Sequence, residues 1–250
     1  MINLKSKEEI EEMKVGGKIL KETADELVAM IEPGISTLEI DKIAEEKLIK
    51  KGAQSSFKRV KGYRWTTCLP INEQAVHTPP SQRKLKDGES LTLDIGAYYK
   101  GLHTDYATTF IVGKARNPDT VCFLDVGQKT LEKAIAKIKS GIYIGEVSKF
   151  IEDGINNAGY KILKDLTGHG IGRELHEEPY VLNYLDRPVN KTYKLEQGMT
   201  LAVEIIYAVS TTQIAYEKDV EWSIISKDHS LSACFERSIA IEKEKTYILT

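Results

Sequence analysis

The 250-residue chain sets 35 Lys and Arg against 37 Asp and Glu, for a formal charge of −2, with 41% hydrophobic and 29% charged residues. That balance excludes the one-signed basic field on which nucleic-acid binding depends. No stretch approaches the roughly 18 consecutive apolar residues of a membrane span, and the charged first twenty residues lack a signal-peptide core, so a cytoplasmic protein with no membrane partner is expected.

Ser6 and Glu9 form a capping box ahead of apolar residues at Ile10, Met13, Leu20, Leu27 and Ile31, which predicts a long first helix ending before Pro33-Gly34. Ser36 and Glu39 open a second helix with Ile40, Ile43, Ala44 and Leu48 on its apolar face, closed at Gly52. Leu91 to Ile95 and His103 to Val112 alternate around Lys100-Gly101, the pattern of an antiparallel hairpin. Val121, Leu124, Leu131, Ala134, Ile135 and Ile138 predict a third helix, and a fourth runs to Gly159. Thr200–Val209, Trp222–Ile225, Phe235–Ile241 and Tyr247–Leu249 read as strands.

Residues 30–53 laid without gaps on residues 137–160 give seven identities in 24 positions, among them Gly34/Gly141, Ile35/Ile142, Glu39/Glu146 and Gly52/Gly159. A single repeat 107 residues away is too long for a solenoid and suits two related halves about a pseudo-twofold axis. Coincidence between two amphipathic helices is the competing explanation. No Ser/Gly/Pro-rich linker separates the halves, so residues 1–250 are read as one α+β domain. The three cysteines, Cys68, Cys122 and Cys234, are dispersed and form no C-x-x-C pair. They predict reduced, mostly buried thiols and no cysteine zinc site.

The chemistry-bearing signal is acidic. Asp94 interrupts the apolar LTLDIGAYY, Glu204 interrupts TLAVEIIYAV, and Glu236 interrupts SACFERSIAI, while Asp105 lies on the second hairpin strand. A buried unpaired carboxylate costs several kcal/mol unless a cation or hydrogen-bond donors offset it. For one aspartate, a loop cap or an arginine pair is the ordinary explanation; four such cases need another. His169, flanked by glycine in TGHGIG, adds a nitrogen donor. Four carboxylates and one imidazole exceed a tetrahedral structural zinc but suit two divalent ions about 3.5 Å apart, and therefore hydrolysis by a metal-bridged hydroxide.

With INEQAVHTPP around His77, LTLDIGAYYKGLHTDYATTF, TGHGIGRELHEEPYV, LAVEII and SLSACFERSIAI in view, the chain resembles the methionine aminopeptidases of the pita-bread metallopeptidase family nearly end to end. Intervals of 64, 35 and 32 residues after Asp105 resemble the compact type I form. The resemblance implies two pseudo-symmetric halves, an antiparallel sheet covered by two helix pairs, and removal of the initiator methionine from nascent polypeptide N-termini.

It further implies Asp94, Asp105, His169, Glu204 and Glu236 as ligands of two divalent metal ions, Co, Mn, Fe or Zn, with Asp105 and Glu236 bridging. Glu204 would exchange the proton of the nucleophilic water, His176 would stabilise the oxyanion, and His77 would touch the scissile amide. Tyr63, Cys68 and Trp222 align with the methionine pocket, for which ordinary core packing is the alternative. Leu175, Thr78 and Ile205 depart from the residues common in the family, which bears on pocket shape. His103 and His229 are read as surface or supporting residues. A monomer with transient ribosome association is expected. The rival readings are an Xaa-Pro aminopeptidase or dipeptidase of the same fold, which shares the ligands, and a non-catalytic binding protein on the same scaffold.

Overall fold

The computed structural model describes residues 2–243 and 245–250. In chain order the elements are helices α1 (Lys7–Met30) and α2 (Thr37–Lys50), strands β1 (Gln54–Ser55), β2 (Thr67–Cys68), β3 (Gln74–Val76), β4 (Ser90–Tyr99) and β5 (Leu102–Ile111), then helices α3 (Pro118–Ile135) and α4 (Ile144–Asn157). Strands β6 (Lys161–Ile162), β7 (Thr167–Gly170), β8 (Glu177–Leu182), β9 (Thr200–Ala208), β10 (Ile214–Tyr216), β11 (Ile224–Ser226), β12 (Ser232–Ile241) and β13 (Thr246–Ile248) follow.

The main sheet runs β1-β4-β5-β12-β9-β7-β8, with β2 on β4, β6 on β9 and β13 on β12, and its pairings are antiparallel. The β4–β5 hairpin closes at Lys100-Gly101, where both residues have positive φ as a tight two-residue turn demands. A small sheet, β10-β11-β3, stands apart.

Period-two alternation divides the main sheet. Leu91, Leu93 and Ile95 face Leu20, Leu27, Ile40 and Leu48 of α1 and α2 in one core. Val203, Ile205, Phe235 and Ile239 face Leu131, Ile151 and Ile155 of α3 and α4 in another. Each fully buried Leu, Ile or Phe contributes about 1.5–3 kcal/mol, so this face holds the layers together. The intervening residues, Asp94, Glu204 and Glu236 among them, point to the other face.

The repeat is a structural equivalence. Gly34 donates to the Leu85 carbonyl and Leu85 to that of Ile35, at 2.8 and 2.9 Å; Gly141, Leu195 and Ile142 repeat the exchange at 2.8 and 2.8 Å. Gly34 and Gly141 have φ of 101° and 96°, conformations that strain any residue with a Cβ. The backbone N–H of Ser36 and of Tyr143 each bonds the carboxylate three residues on, Glu39 and Glu146. The halves join where β5 pairs with β12.

Three sequence expectations shift. Val121, assigned to the apolar face of α3, is exposed; Phe123 is buried instead, its carbonyl accepting the Tyr207 hydroxyl and its ring tilted against Tyr207 at 4.4 Å. Trp222 lies outside β11, in a turn at φ 74°, so the strand expected from Trp222 begins at Ile224. The short strands β1, β2, β3, β6, β7, β8 and β10 lie outside the expected elements, because two to six residues take extended form only when a neighbour completes their hydrogen bonds.

Candidate metal centre

Register alone assembles the acidic cluster. Across the sheet, Cys68 stands opposite Asp94, Asp94 opposite Ala107, Ala107 opposite Glu236, and Glu236 opposite Glu204. Directly opposed residues share a face, so Asp94, Glu236 and Glu204 lie in one row, with the small side chain of Ala107 leaving room between the first two. One pleat along, Asp105 on β5 is followed by Ser238, Ala202 and His169. Ser238 ties this row together: the Asp105 N–H donates to its Oγ at 2.8 Å, and its hydroxyl lies 3.0 Å from the Asp105 carbonyl.

Asp105, His169 and Glu236 are each under 5% exposed, and each offers one ligand atom within 4.8 Å of the others. Glu204 Oε1 approaches His169 Nε2 at 3.8 Å. Asp94 flanks the group beside Cys68. The His169 Nδ1–H donates to the Gly170 carbonyl at 2.9 Å, which leaves Nε2 as a lone-pair donor aimed at the carboxylates. Burial, then neighbouring His176, holds His169 down to about 3, so the ring is neutral.

Burial drives all four carboxylates the other way. Asp94 is pushed up to about 7. Asp105 rises well above its ordinary value through burial and then the charges of Glu236 and Asp94. Glu204 and Glu236 rise for the same reasons, Glu204 against Asp94 and Asp105, Glu236 against Glu204 and Asp94. Yet Oε1 of Glu236 is buried with no hydrogen-bond partner among the described residues. Divalent cations would satisfy such an acceptor and cancel the repulsion among the carboxylates, and oxygen-rich donors with one imidazole fit a metal centre.

All ten residues singled out from the sequence, His77, His176, Tyr63, Cys68, Trp222 and the five candidate ligands, line one cavity of about 120 Å³. Its inner wall is the acidic cluster. Its outer wall is aromatic: Tyr63 meets Trp222 edge-on at 5.5 Å and Phe57 at 6.3 Å. The Tyr63 hydroxyl donates to the Thr67 carbonyl at 2.8 Å and lies 3.1 Å from the Cys68 thiol, which burial keeps protonated.

His77 and His176 stand at the rim. Both keep an exposed edge, but partial desolvation by the cavity wall and the neighbouring His176 hold His77 down to about 4, and partial desolvation also lowers His176, whose ring meets that of His169 at 4.4 Å. An open groove lined by Ser56, Arg59, His103 and Arg173 continues from Val60, Leu175 and His176.

A model of metallopeptidase family M24 matches residues 11–248. The chain belongs to this family. Among its M24 relatives, a methionine aminopeptidase of Mycoplasma capricolum is 37% identical over 252 residues, covering 100% of this chain and 98% of the relative. The crystal structure of a methionine aminopeptidase from Thermotoga maritima superposes with a TM-score of 0.95 at 35% identity, over 100% of this chain and 99% of that one. A prolidase from Pyrococcus furiosus shares the fold alone, at TM-score 0.80 and 21% identity, with 65% of its chain covered. The α+β pita-bread architecture inferred from the sequence is that of these M24 structures.

Residues with no motif signal brace the cavity wall. His77 and Trp222 hold positive φ, 60° and 74°, uncommon for non-glycine residues and concentrated at functional sites. Each is followed by a hydroxyl residue, and those hydroxyls, Thr78 and Ser223, lie 2.8 Å apart. The Ser223 hydroxyl donates to Glu217 at 2.6 Å, and Gln74 donates to the same oxygen at 2.6 Å. Glu217 and Ser223 carry no motif signal, and only the fold brings them to the residues around His77.

Of the three departures from the family pattern, Leu175 lines the cavity and Thr78 braces it. Ile205 faces the helix-side core and does not reach the site. His103, read as a surface or supporting residue, is buried, with Nδ1 2.9 Å from the Ser56 hydroxyl and a pKa held down to about 4 by burial and Arg59. His229 is exposed on a turn, as read.

Proposed function

We propose that this chain is a methionyl aminopeptidase that removes the initiator methionine from nascent proteins and peptides, using two divalent ions of Mn, Fe, Co or Zn. The observation that carries the reading is the convergence of Asp94, Asp105, His169, Glu204 and Glu236 on one face, with Glu236 Oε1 unpartnered, beside a slot of apolar and sulfur-bearing side chains. Asp94 would hold one ion, Asp105 and Glu236 both, and His169 and Glu204 the other. When bound, the ions supply Lewis acidity and bring the pKa of water towards neutrality.

The remaining work belongs to the chain's own groups. Glu204 takes the proton released as water adds to the scissile carbonyl and returns it to the departing amine as the C–N bond breaks. His176 donates a hydrogen bond to the carbonyl oxygen as charge develops there, and His77 contacts the scissile amide. Tyr63, Cys68 and Trp222 enclose an unbranched thioether, for which aromatic rings and a neutral thiol are favourable neighbours. The rest of the substrate leaves along the groove past Leu175 and His176.

The reading takes residues 1–250 as one catalytic unit, because the candidate ligands come from both halves and β5 pairs with β12. The enzyme acts as a monomer in the cytoplasm, transiently near ribosomes. Among the described residues no helix is long and apolar enough to cross a membrane.

The test uses protein stripped with a chelator and reloaded with Mn²⁺ or Co²⁺. It should release Met from a Met-Ala-Ser peptide far faster than it cleaves Xaa-Pro peptides. Equal rates, or a preference for Xaa-Pro, would replace the reading with that of a proline-specific peptidase, and binding without cleavage would replace it with a binding protein.

A further inference from the structure

We infer that Lys5 is a positioning residue for His176: its buried ammonium, paired with Glu177, holds the 171–177 segment in the arrangement that presents His176 to the cavity. The inference rests on the reading above insofar as His176 acts on the substrate carbonyl. The placement of the His176 ring is a separate matter and is tested separately.

Lys5 lies ahead of α1, 172 residues from Glu177, yet their side chains are 1% and 2% exposed and in ion-pair contact. Both ions give up their hydration, and an apolar pair of the same volume commonly serves stability as well or better, so stability alone gives no reason for a charged pair here. Geometry supplies one. While one oxygen of Glu177 takes the Lys5 ammonium, the other accepts the Glu174 N–H at 3.0 Å, closing a loop over Leu175 and His176.

The ammonium is itself fixed: it donates to the Asn3 carbonyl at 3.0 Å, and the Lys5 backbone N–H donates to the Gly198 carbonyl at 2.7 Å. Gly172 gives it passage, since a Cβ there would collide with the Lys5 stem. Burial lowers the pKa of Lys5 and Glu177 offsets that in part, as expected of an ammonium kept charged by its partner.

A second tie runs between the same two segments. Glu9, in the first turn of α1, accepts from Arg173 Nε at 2.7 Å and Nη2 at 2.9 Å. The His103 N–H donates to the Gly172 carbonyl at 2.6 Å. Among the described residues the His176 ring has no comparable hydrogen-bonded anchor, only its edge contact with the His169 ring at 4.4 Å. Its aim is therefore set by the backbone that Lys5 and Glu177 hold, and Leu175, on the cavity wall, is held with it.

The test substitutes Lys5→Met alone and together with Glu177→Met in the full chain, with Lys5→Arg as the conservative variant. Lys5→Met should bind Mn²⁺ as wild type does, keep KM for Met-Ala-Ser within about threefold, and lose at least tenfold in kcat, with Lys5→Arg regaining part of it. The double variant removes the buried charges together. It should melt at or near the wild-type temperature while kcat stays depressed, because the Glu174 tether is gone. Recovery of kcat together with stability in the double variant would make Lys5 merely structural and overturn the inference.

A readout independent of activity is the imidazole NMR signal of His176 in metal-free protein. Lys5→Met should broaden or split it and leave that of His77 in place, whereas an unchanged His176 signal would overturn the inference. If wild type releases no methionine, the functional reading fails, and the His176 signal still decides the role of Lys5.

Discussion

Thr78 and Ser223, 145 residues apart, bring their hydroxyls to 2.8 Å, and each directly follows a positive-φ residue on the cavity wall, His77 and Trp222. Because the Ser223 hydroxyl is committed to Glu217, Thr78 donates to Ser223. Ser223→Ala therefore strands the buried Thr78 hydroxyl, Glu217 keeping its bond from Gln74, whereas Thr78→Val leaves the Ser223 hydroxyl bonded to Glu217. A stranded buried polar group costs about 1–3 kcal/mol, so Ser223→Ala is expected to lower the unfolding free energy by roughly that amount and Thr78→Val by less. Both should raise KM for methionyl peptides several-fold, as His77 and Trp222 lose their shared brace. Denaturant unfolding and steady-state kinetics check this, and the reverse order of stability would show that the link does not support the wall.

His176→Ala separates binding of ions from work on the substrate. Its ring meets His169 at 4.4 Å but belongs to a different segment from the acidic rows. The variant should retain both ions and lose about 10²–10³ in kcat, the usual cost of removing one oxyanion donor. Metal titration by calorimetry beside kinetics checks it; lost ions would place the ring among the ligands instead.

How much of this was legible in the sequence follows from where each signal lives. Asp94, Glu204 and Glu236 stood out because a carboxylate inside an apolar strand violates local patterning, and Gly34/Gly141 stood out because a repeated turn conserves its glycine. Asp105 and His169 needed the cluster around them to acquire meaning. Lys5 with Glu177, and Thr78 with Ser223, carry no signal, since charged and hydroxyl residues are everywhere in the chain and only the tertiary fold brings these together. Trp222 reads as a strand residue because its bulk and β propensity fit one; its positive φ is imposed by the turn that carries it to Tyr63.

Asp105 occupies the second row of the acidic face, with ligand atoms of His169 and Glu236 within 4.8 Å. A residue shared by two ions should, when lost, weaken both. Asp105→Ala is expected to lower the affinity of the tighter and the weaker Mn²⁺ together, by at least tenfold each, and to abolish turnover. Calorimetric titration of stripped protein reads both steps, and tight retention of two ions would remove Asp105 from the bridging position.

The same cluster sets a pH dependence whose sign is fixed by two opposed groups of residues. His77, His103 and His169 have folded values held down to about 4, 4 and 3, so acid destabilises the fold as the unfolded chain takes up protons that the native imidazoles refuse. Above about pH 7.5 these rings are neutral in both states, and their contribution stops changing.

The carboxylates remain. Asp94 is raised to about 7 and Asp105, Glu204 and Glu236 well above their ordinary values, so the metal-free native state binds more protons than the unfolded chain, and its stability falls as pH rises through that range. Bound cations displace those protons and cancel the slope. Between about pH 7.5 and 8.5, the melting temperature of chelator-treated protein should therefore fall while that of Mn²⁺-loaded protein stays nearly level, the gap widening with pH. Scanning calorimetry across that interval checks it. A metal-free melting temperature that stays flat or climbs would mean that the four carboxylates are already relieved of one another's charge without cations, and the metal centre would lose its electrostatic reason to exist.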